Sequence, residues 1–302
     1  MKRRTALAIL TALCAPAAYA DTAAGRERRR FIFQQRSLYR NVMVTEADGR
    51  RCMTFGRYHG DQTCIALDDP ARMVHSYTQG LMAALFLARQ VRRVLVIGLG
   101  GGVLPRTLRA LYPEAEIDTV ELDPAVASVA RSHFGFVPDP RSRVFIDDGR
   151  VFVRKQRRAG TRYDLVLSDA FEKDYIPEHM LTREFLQEVR SVLAPGGMVG
   201  ANTFAHSGLA RYEAATYQAV FGAMYRIDLD SGNRILLMAR DSLPSLDAVR
   251  ANAARLAPAL RPFAVDTDDL LARMTPAPVE RGVRVLTDQF APANLLLRGP
   301  VG

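Results

Sequence analysis

The arrangement this chain offers for chemistry is an apolar run ending in clustered glycines, followed by a second apolar run ending in a carboxylate. Residues 94–102 read VLVIGLGGG, and Glu121 in VELD comes 19 residues after the last glycine. Strand, glycine turn, helix, strand and acid in that order describe a nucleotide-binding β-α-β unit. Gly98, Gly100, Gly101 and Gly102 permit a tight turn and let backbone approach a ligand that a Cβ would exclude. Glu121 is placed to accept hydrogen bonds from both hydroxyls of a ribose. Chemistry is therefore expected to start from a bound nucleoside. The glycines are spaced G-x-G-x-G, so Val103 stands where the dinucleotide fingerprint has its last glycine, which disfavours NAD.

Two further apolar runs also end in acid. Asp147, Asp148 and Gly149 follow residues 144–146, and Asp169 follows YDLVLS. Asp148 reads in two ways, as the N-cap of the next helix or as the acceptor of an adenine amino group. Asp169 is the catalytic candidate, because a carboxylate at a strand mouth can take a proton from an amine or hold an ammonium beside a reacting electrophile. It opens the segment DAFEKDYIPEHM, on which Glu172 and Asp174 read as solvated or as contacts to an acceptor amine. Asp164 precedes the apolar part of its run and reads as structural. His59, His75, His133, His179 and His206 show no metal-ligand spacing, so no metal is expected and each reads as an ordinary surface or core histidine. No G-x-S-x-G elbow supports a hydrolase.

These residues need a scaffold that brings strand ends together. From residue 86 to 242 strands and helices alternate: 94–97, 103–111, 117–120, 124–134, 144–146, 150–158, 163–167, 182–193 and 198–201. Such alternation predicts a mostly parallel sheet covered on both faces, with ligands at the carboxyl ends of its strands. Residues 194–197 (APGG) read as a helix stop. A helix over 214–221 precedes strands 224–229 and 235–238 around the turn DSGN, which predicts an antiparallel final pair. Residues 21–85 read as a small unit of short strands (FIFQQ, NVMVTEA, RCMTFG, TCIAL) and a lead-in helix over 73–88. Residues 243–302 read as a helix over 245–260, a Pro-rich stretch and a loose last dozen residues.

The first 20 residues combine a basic start, an apolar run over 6–13 and an A-x-A site, so a signal peptide cleaved after Ala20 and an exported, periplasmic protein are expected. An uncleaved anchor or a misassigned start is the alternative. Removing this leader lowers the formal charge from +9 to about +6, and the remaining cations do not form the aromatic-interleaved patches of a nucleic-acid groove. No later segment is long enough to span a bilayer. Cys52 and Cys64 flank a turn-like segment and read as a hairpin disulfide or as two half-buried thiols.

Taken together, S-x-Y at 37–39, the glycine loop with VLPR, VELDPAV, DDGRVF, YDLVLSDAF and LAPGG make the chain from about Ser37 to Met238 resemble the spermidine synthase (polyamine aminopropyltransferase) family. The resemblance implies a class I S-adenosylmethionine-methyltransferase-like Rossmann fold. Its features would be a seven-stranded sheet, a terminal antiparallel hairpin and a small N-terminal strand-rich subdomain. It also implies a decarboxylated S-adenosylmethionine co-substrate with no tightly bound cofactor, and a small amine acceptor, polyamines included. Homo-oligomers are common in the family. By resemblance Glu121 takes the ribose, Asp148 and Gly149 the adenine side, Asp169 the acid/base or amine-holding role, and Tyr77 the acceptor side. The chain departs from the family in lacking an acid in the glycine loop, in carrying Arg40 where Gln is usual, and in placing Glu172 in the catalytic loop without a proline. A guanidinium without that acid suits a donor tail that keeps its own carboxylate, so intact S-adenosylmethionine is the second donor expected. A methyltransferase and a non-catalytic exported nucleoside-binding protein are the alternative functions.

Overall fold

The computed structural model describes residues 29–56, 60–170 and 176–298. The expected leader over residues 1–20, His59, Glu172 and Asp174 lie outside the described residues. The chain opens with an antiparallel meander of β1 (Arg30–Arg36), β2 (Asn41–Ala47), β3 (Arg50–Phe55) and β4 (Thr63–Ala66), paired in chain order. Alternation in β2 sends Val42 and Val44 into the core and leaves its neighbours half-buried. Asp48 and Gly49, both at positive φ, make the two-residue turn between β2 and β3. Cys52 pairs directly with Cys64 across β3 and β4, and the two are joined by a disulfide.

The lead-in helix is two pieces, α1 (Ser76–Leu81) and α2 (Ala84–Leu87), instead of one. Between them the N–H groups of Met82 and Ala83 donate to the carbonyls of Gln79 and Gly80, tightening the turn. Residues 81–88 are all buried. Their hydrophobicity carries no single face, so packing on all sides decides the path.

The main sheet follows in alternation: β5 (Arg93–Ile97), α3 (Val103–Leu111), β6 (Glu116–Glu121), α4 (Pro124–His133), β7 (Ser142–Ile146), α5 (Gly149–Arg158), β8 (Tyr163–Ser168), α6 (Arg183–Ser191), β9 (Leu193–Phe204) and α7 (Ala210–Phe221). It is completed by the hairpin β10 (Met224–Asp228) and β11 (Asn233–Ala239), then α8 (Leu246–Leu260), α9 (Thr267–Arg273), β12 (Met274–Pro276) and α10 (Ala293–Arg298). The strand order is β12-β10-β11-β9-β8-β5-β6-β7, parallel from β7 to β9 and antiparallel beyond. This is the expected mostly parallel sheet with a terminal antiparallel pair, extended by an eighth, short strand, β12, on the edge of β10. Residues 194–197 do not stop the helix, which ends at Ser191. They bulge from β9, so that Tyr163 pairs with Leu193 and Leu165 with Met198.

Period-two alternation splits the central strands between two cores. Val94, Val96, Leu165 and Leu167 pack with α1, α2, α3, α4 and α8, whereas Leu95, Ile97 and Val166 pack with α5, α6 and α7. Each large apolar side chain buried there contributes roughly 1.5–3 kcal/mol, and together they hold the strand ends in fixed register. Asp164, at the far end of β8, accepts from Gln90 Nε2 and from the backbone N–H groups of Arg92 and Arg93, a structural role as read. The C-terminal stretch is not loose through residue 298. Leu286 and Ala293 are buried with Ile176, Leu181 and Leu209, an apolar cluster that docks the segment.

Candidate active site

The order in which successive strands are laid down reverses at β5, which has β6 and β7 on one side and β8 and β9 on the other. At such a switch point the loops leave a crevice beyond the carboxyl ends of the strands. A cavity of about 720 Å³ occupies it, a volume suited to a nucleoside and a small co-substrate. The ladder continues past the strand ends: the N–H groups of Gly98, Asp147 and Asp169 donate to the carbonyls of Val120, Glu121 and Ile97. These bonds bring Glu121, Asp148 and Asp169 to one wall.

The glycines serve chain packing more than ligand approach. A Cβ on Gly98 would lie 2.2 Å from the carbonyl oxygen of Asp169, so glycine is what lets the β5 and β8 ends meet. Gly98 and Gly100 line the cavity, as does Gly149. Gly101 and Gly102, expected at the ligand, do not line it. They are buried against Phe134, Thr63 and Phe136, with a Gly102 Cβ only 2.5 Å from the Phe136 ring. Thr63 also lies beside Gly100, so β4 braces the glycine loop.

Glu121 is held by two backbone donors, the N–H of Leu99 at 3.0 Å and of Asp123 at 2.9 Å. Burial raises its pKa above the ordinary carboxylate range, while those N–H groups and Arg40 pull it back. Arg40 reaches this wall through a local turn. Ser37 Oγ accepts from the N–H of Tyr39 and Arg40 and donates to Asp123 at 2.5 Å, tying the β1–β2 connection to α4. The Arg40 guanidinium lies 4.6 Å from the centroid of the Phe55 ring.

Asp148 fulfils its cap reading and also lines the cavity. Its Oδ1 accepts from the N–H groups of Arg150 and Val151, both at 3.0 Å, and its Oδ2 lies 2.8 Å from His179 Nε2.

Asp169 sits at the mouth of β8 with Oδ1 accepting from Asn202 Nδ2 at 2.9 Å. Its carboxyl is pushed up to about 7, by burial foremost and by Glu121, against the opposing Asn202 bond. Asn202 is oriented in turn, since its Oδ1 accepts from Asn233 Nδ2 at 2.9 Å, Asn233 accepts from Ser231, and Ser76 donates to Ser231. This chain of bonds crosses from β8 through β9 and β11 to α1. Tyr77, on α1, donates to the carbonyl of Gln62 at 2.7 Å, and burial and the Asp169 charge push its phenol up. His75 stacks beside Tyr77 at 5.5 Å, and burial lowers its pKa.

Asn202 escaped the sequence reading because an isolated polar residue in an apolar strand carries no motif, and Ser231 and Asn233 because the DSGN signature accounts for them as a turn and says nothing of what the turn meets in space. His179 and His206 are exposed and His75 is half-buried, and all three also line the cavity, a placement the sequence reading did not give them. Only His179 had a signal, its place on the segment following Asp169. Glu172, expected at the acceptor, lies outside the described residues. Among the described residues the one cluster with metal-ligand geometry is Cys52, Asp61 and Cys64, whose two sulfurs are bonded to each other.

A family model, the spermine/spermidine synthase domain, matches residues 74–226. The chain is 42% identical to the polyamine aminopropyltransferase of Vibrio vulnificus (strain CMCP6) over 271 residues, covering 88% of this chain and 91% of that protein. A probable spermidine synthase from Corynebacterium glutamicum is similar in fold, with a TM-score of 0.67 at 22% identity over 85% of this chain and 96% of the other. Human methyltransferase-like protein 13, solved in complex with SAH, matches 62% of this chain and 93% of its own at 28% identity and a TM-score of 0.57.

Proposed function

The chain belongs to the spermine/spermidine synthase domain family, and from that premise we propose that it transfers an aminopropyl group from decarboxylated S-adenosylmethionine to a small amine, in the chemistry of polyamine biosynthesis. The nitrogen lone pair attacks the methylene carbon bonded to the sulfonium. A C–N bond forms as the C–S bond breaks, its electron pair goes to sulfur, and methylthioadenosine leaves as a neutral thioether. The amine loses one proton, first to Asp169 and then to solvent. Such a displacement needs in-line positioning and a base matched to the working pH.

The observation that carries this reading is Asp169, half-buried in the wall of the cavity at the switch point beside Glu121 and Tyr77 and raised to about 7, close to what a general base needs near neutrality. Glu121 is assigned the ribose hydroxyls, Asp148 and Gly149 the adenine side, and Gly98 and Gly100 the turn beneath the donor. Arg40 is assigned to the ribose side next to Glu121, and Tyr77 to the acceptor side. Purified protein incubated with decarboxylated S-adenosylmethionine and an amine mixture should yield aminopropylated product by mass spectrometry, and Asp169→Asn should form it at least about a hundredfold more slowly. A rate left within about tenfold of wild type in Asp169→Asn overturns the assignment.

Methyl transfer from intact S-adenosylmethionine is the second reading. It is supported by residues 98–102, which hold no acid to grip a decarboxylated tail, and by the likeness to methyltransferase-like protein 13. Against it, Arg40 acts on Glu121, whose carboxylate it already serves. The same assay with intact donor separates the two by product mass. Export is proposed as well, supported by the Cys52–Cys64 disulfide, since such bonds persist in oxidising compartments. N-terminal sequencing of the mature protein tests it, with Asp21 the expected first residue.

A further inference from the structure

Resting on the reading that Asp148 faces the donor's adenine, we propose that the C-terminal segment 286–297 belongs to the donor-binding apparatus and sets nucleoside affinity by holding His179 against Asp148. His179 stands on a single 3-10 turn, Glu178–Met180, too short to hold its own orientation. It is held from outside by the buried guanidinium of Arg150. Arg150 Nη1 donates to the carbonyl of His179 at 3.1 Å and to Asp288 Oδ1 at 2.7 Å, and Nη2 donates to Asp288 Oδ2 at 2.8 Å. Since the backbone N–H of Arg150 is itself capped by Asp148, the bonds close a ring from Asp148 through Arg150 and His179 back to Asp148. Asp288, from the C-terminal segment, clamps that ring.

A second clamp lies one turn further on. Asn294 accepts from the N–H of Ile176 at 3.0 Å, donates through Nδ2 to the Ile176 carbonyl at 3.0 Å, and bonds Glu178 through both Nδ2 and its own N–H at 3.2 Å. Thr182 Oγ1 donates to Asp288 at 2.7 Å, so both ends of the turn carrying His179 are pinned to the same segment. Leu297 then lines the cavity directly, with Pro177, His179 and Met180. The electrostatics agree, because the Arg150 guanidinium foremost holds the Asp288 carboxyl at about 2, so the clamp is charged at neutral pH.

The consequence for binding follows from counting lone pairs. Asp148 spends Oδ1 on two backbone donors and one side of Oδ2 on His179, leaving the remaining direction for one incoming N–H. A carboxylate fixed in that way meets an amino group without reorganising, whereas one whose histidine can drift must be ordered on binding. Asp288, Asn294 and His179 are therefore positioning residues for the donor, remote from the transfer step.

The test is calorimetric titration of methylthioadenosine into the full chain, with steady-state kinetics alongside. Asp288→Asn and Asn294→Ala should each weaken binding and raise the donor KM by about tenfold, the scale of one charge-assisted or bidentate contact. The amine KM and kcat at saturating donor should stay within about twofold of wild type. His179→Ala should weaken binding similarly, and His179→Gln, which keeps an N–H donor for Asp148, should restore most of it. Circular dichroism establishes that each variant is folded at the assay temperature. If either clamp variant unfolds, the His179 pair at its half-exposed position decides. Wild-type binding in the folded clamp variants, or in His179→Ala, overturns the proposal provided Asp148→Asn does weaken binding. Unchanged binding in Asp148→Asn overturns instead the adenine-side reading on which it rests.

Discussion

Replacing Asn202 with Leu should move the pH dependence of catalysis without abolishing it. The amide donates one hydrogen bond of 2.9 Å to Asp169, and burial of the carboxyl opposes that bond, leaving the group at about 7. A bond from a neutral donor to a buried charge is worth roughly 1.5–3 kcal/mol, and 1.36 kcal/mol corresponds to one pH unit. Leucine has the amide's size but no donor, so the carboxyl should ionise about one to two pH units higher. At neutral pH only about a tenth or less of the enzyme would then carry the base, and the rate should fall about tenfold and recover in alkali. The assay is kcat/KM for the amine at saturating donor, from about pH 5 to pH 10, in wild type and variant with the same amine. The acceptor's own titration is common to both profiles and cancels in the comparison. Acid limbs that superimpose would refute the reasoning, and a uniform loss at every pH would mean that Asn202 contacts the acceptor instead of setting the acidity of Asp169.

Asp169→Asn should lower kcat by about 10²–10⁴ and also change stability with a definite sign. The native carboxyl keeps its proton up to about 7 whereas the unfolded one releases it near 4, so stability falls as pH rises across that window. The Asn variant should show a flatter melting temperature against pH, and a curve parallel to wild type would contradict the raised pKa. Glu121→Gln should raise the donor KM by about tenfold or more with a smaller effect on the amine KM, because the amide oxygen replaces only one of two acceptors now serving Leu99 and Asp123. Equal effects on both substrates would remove Glu121 from the donor side. Cys52→Ser with Cys64→Ser should cost about 2–3 kcal/mol, the scale for closing a loop of this sequence separation, 12 residues. Denaturant midpoints with and without reductant check this, and a reductant-insensitive wild type would contradict it.

The sheet was legible because its strands are short, β-branched and bounded by turn residues, and because its helices carry one apolar face each. The boundaries of α3, 103–111, and of the strands around the DSGN turn could be read almost residue by residue. Where periodicity fails, reading failed with it. The wholly buried stretch 81–88 has no face to reveal its break, and residues 194–197 have turn composition yet are bulged within β9. The short edge strand β12 and the docking of α10 depend on what lies next to them in space, so nothing local announces either.

The same division runs through the site. Residue type and position at strand ends sufficed to pick out Glu121, Asp148 and Asp169, because carboxylates following apolar parallel strands gather at one edge of the sheet. Their acidity and orientation were decided only by folding. Asn202 and Asn233, 31 residues apart, meet across β9 and β11 to hold Asp169, and Asp288 reaches back 138 residues to Arg150. The glycines show the same: sequence marked the turn, but only the approach of Asp169, Phe134 and Phe136 shows that Gly98, Gly101 and Gly102 serve packing, while Gly98 and Gly100 border the cavity. Local pattern determines which elements form and which groups stand at their ends. Desolvation and long-range hydrogen bonds, which exist only once those ends converge, determine what the groups can do.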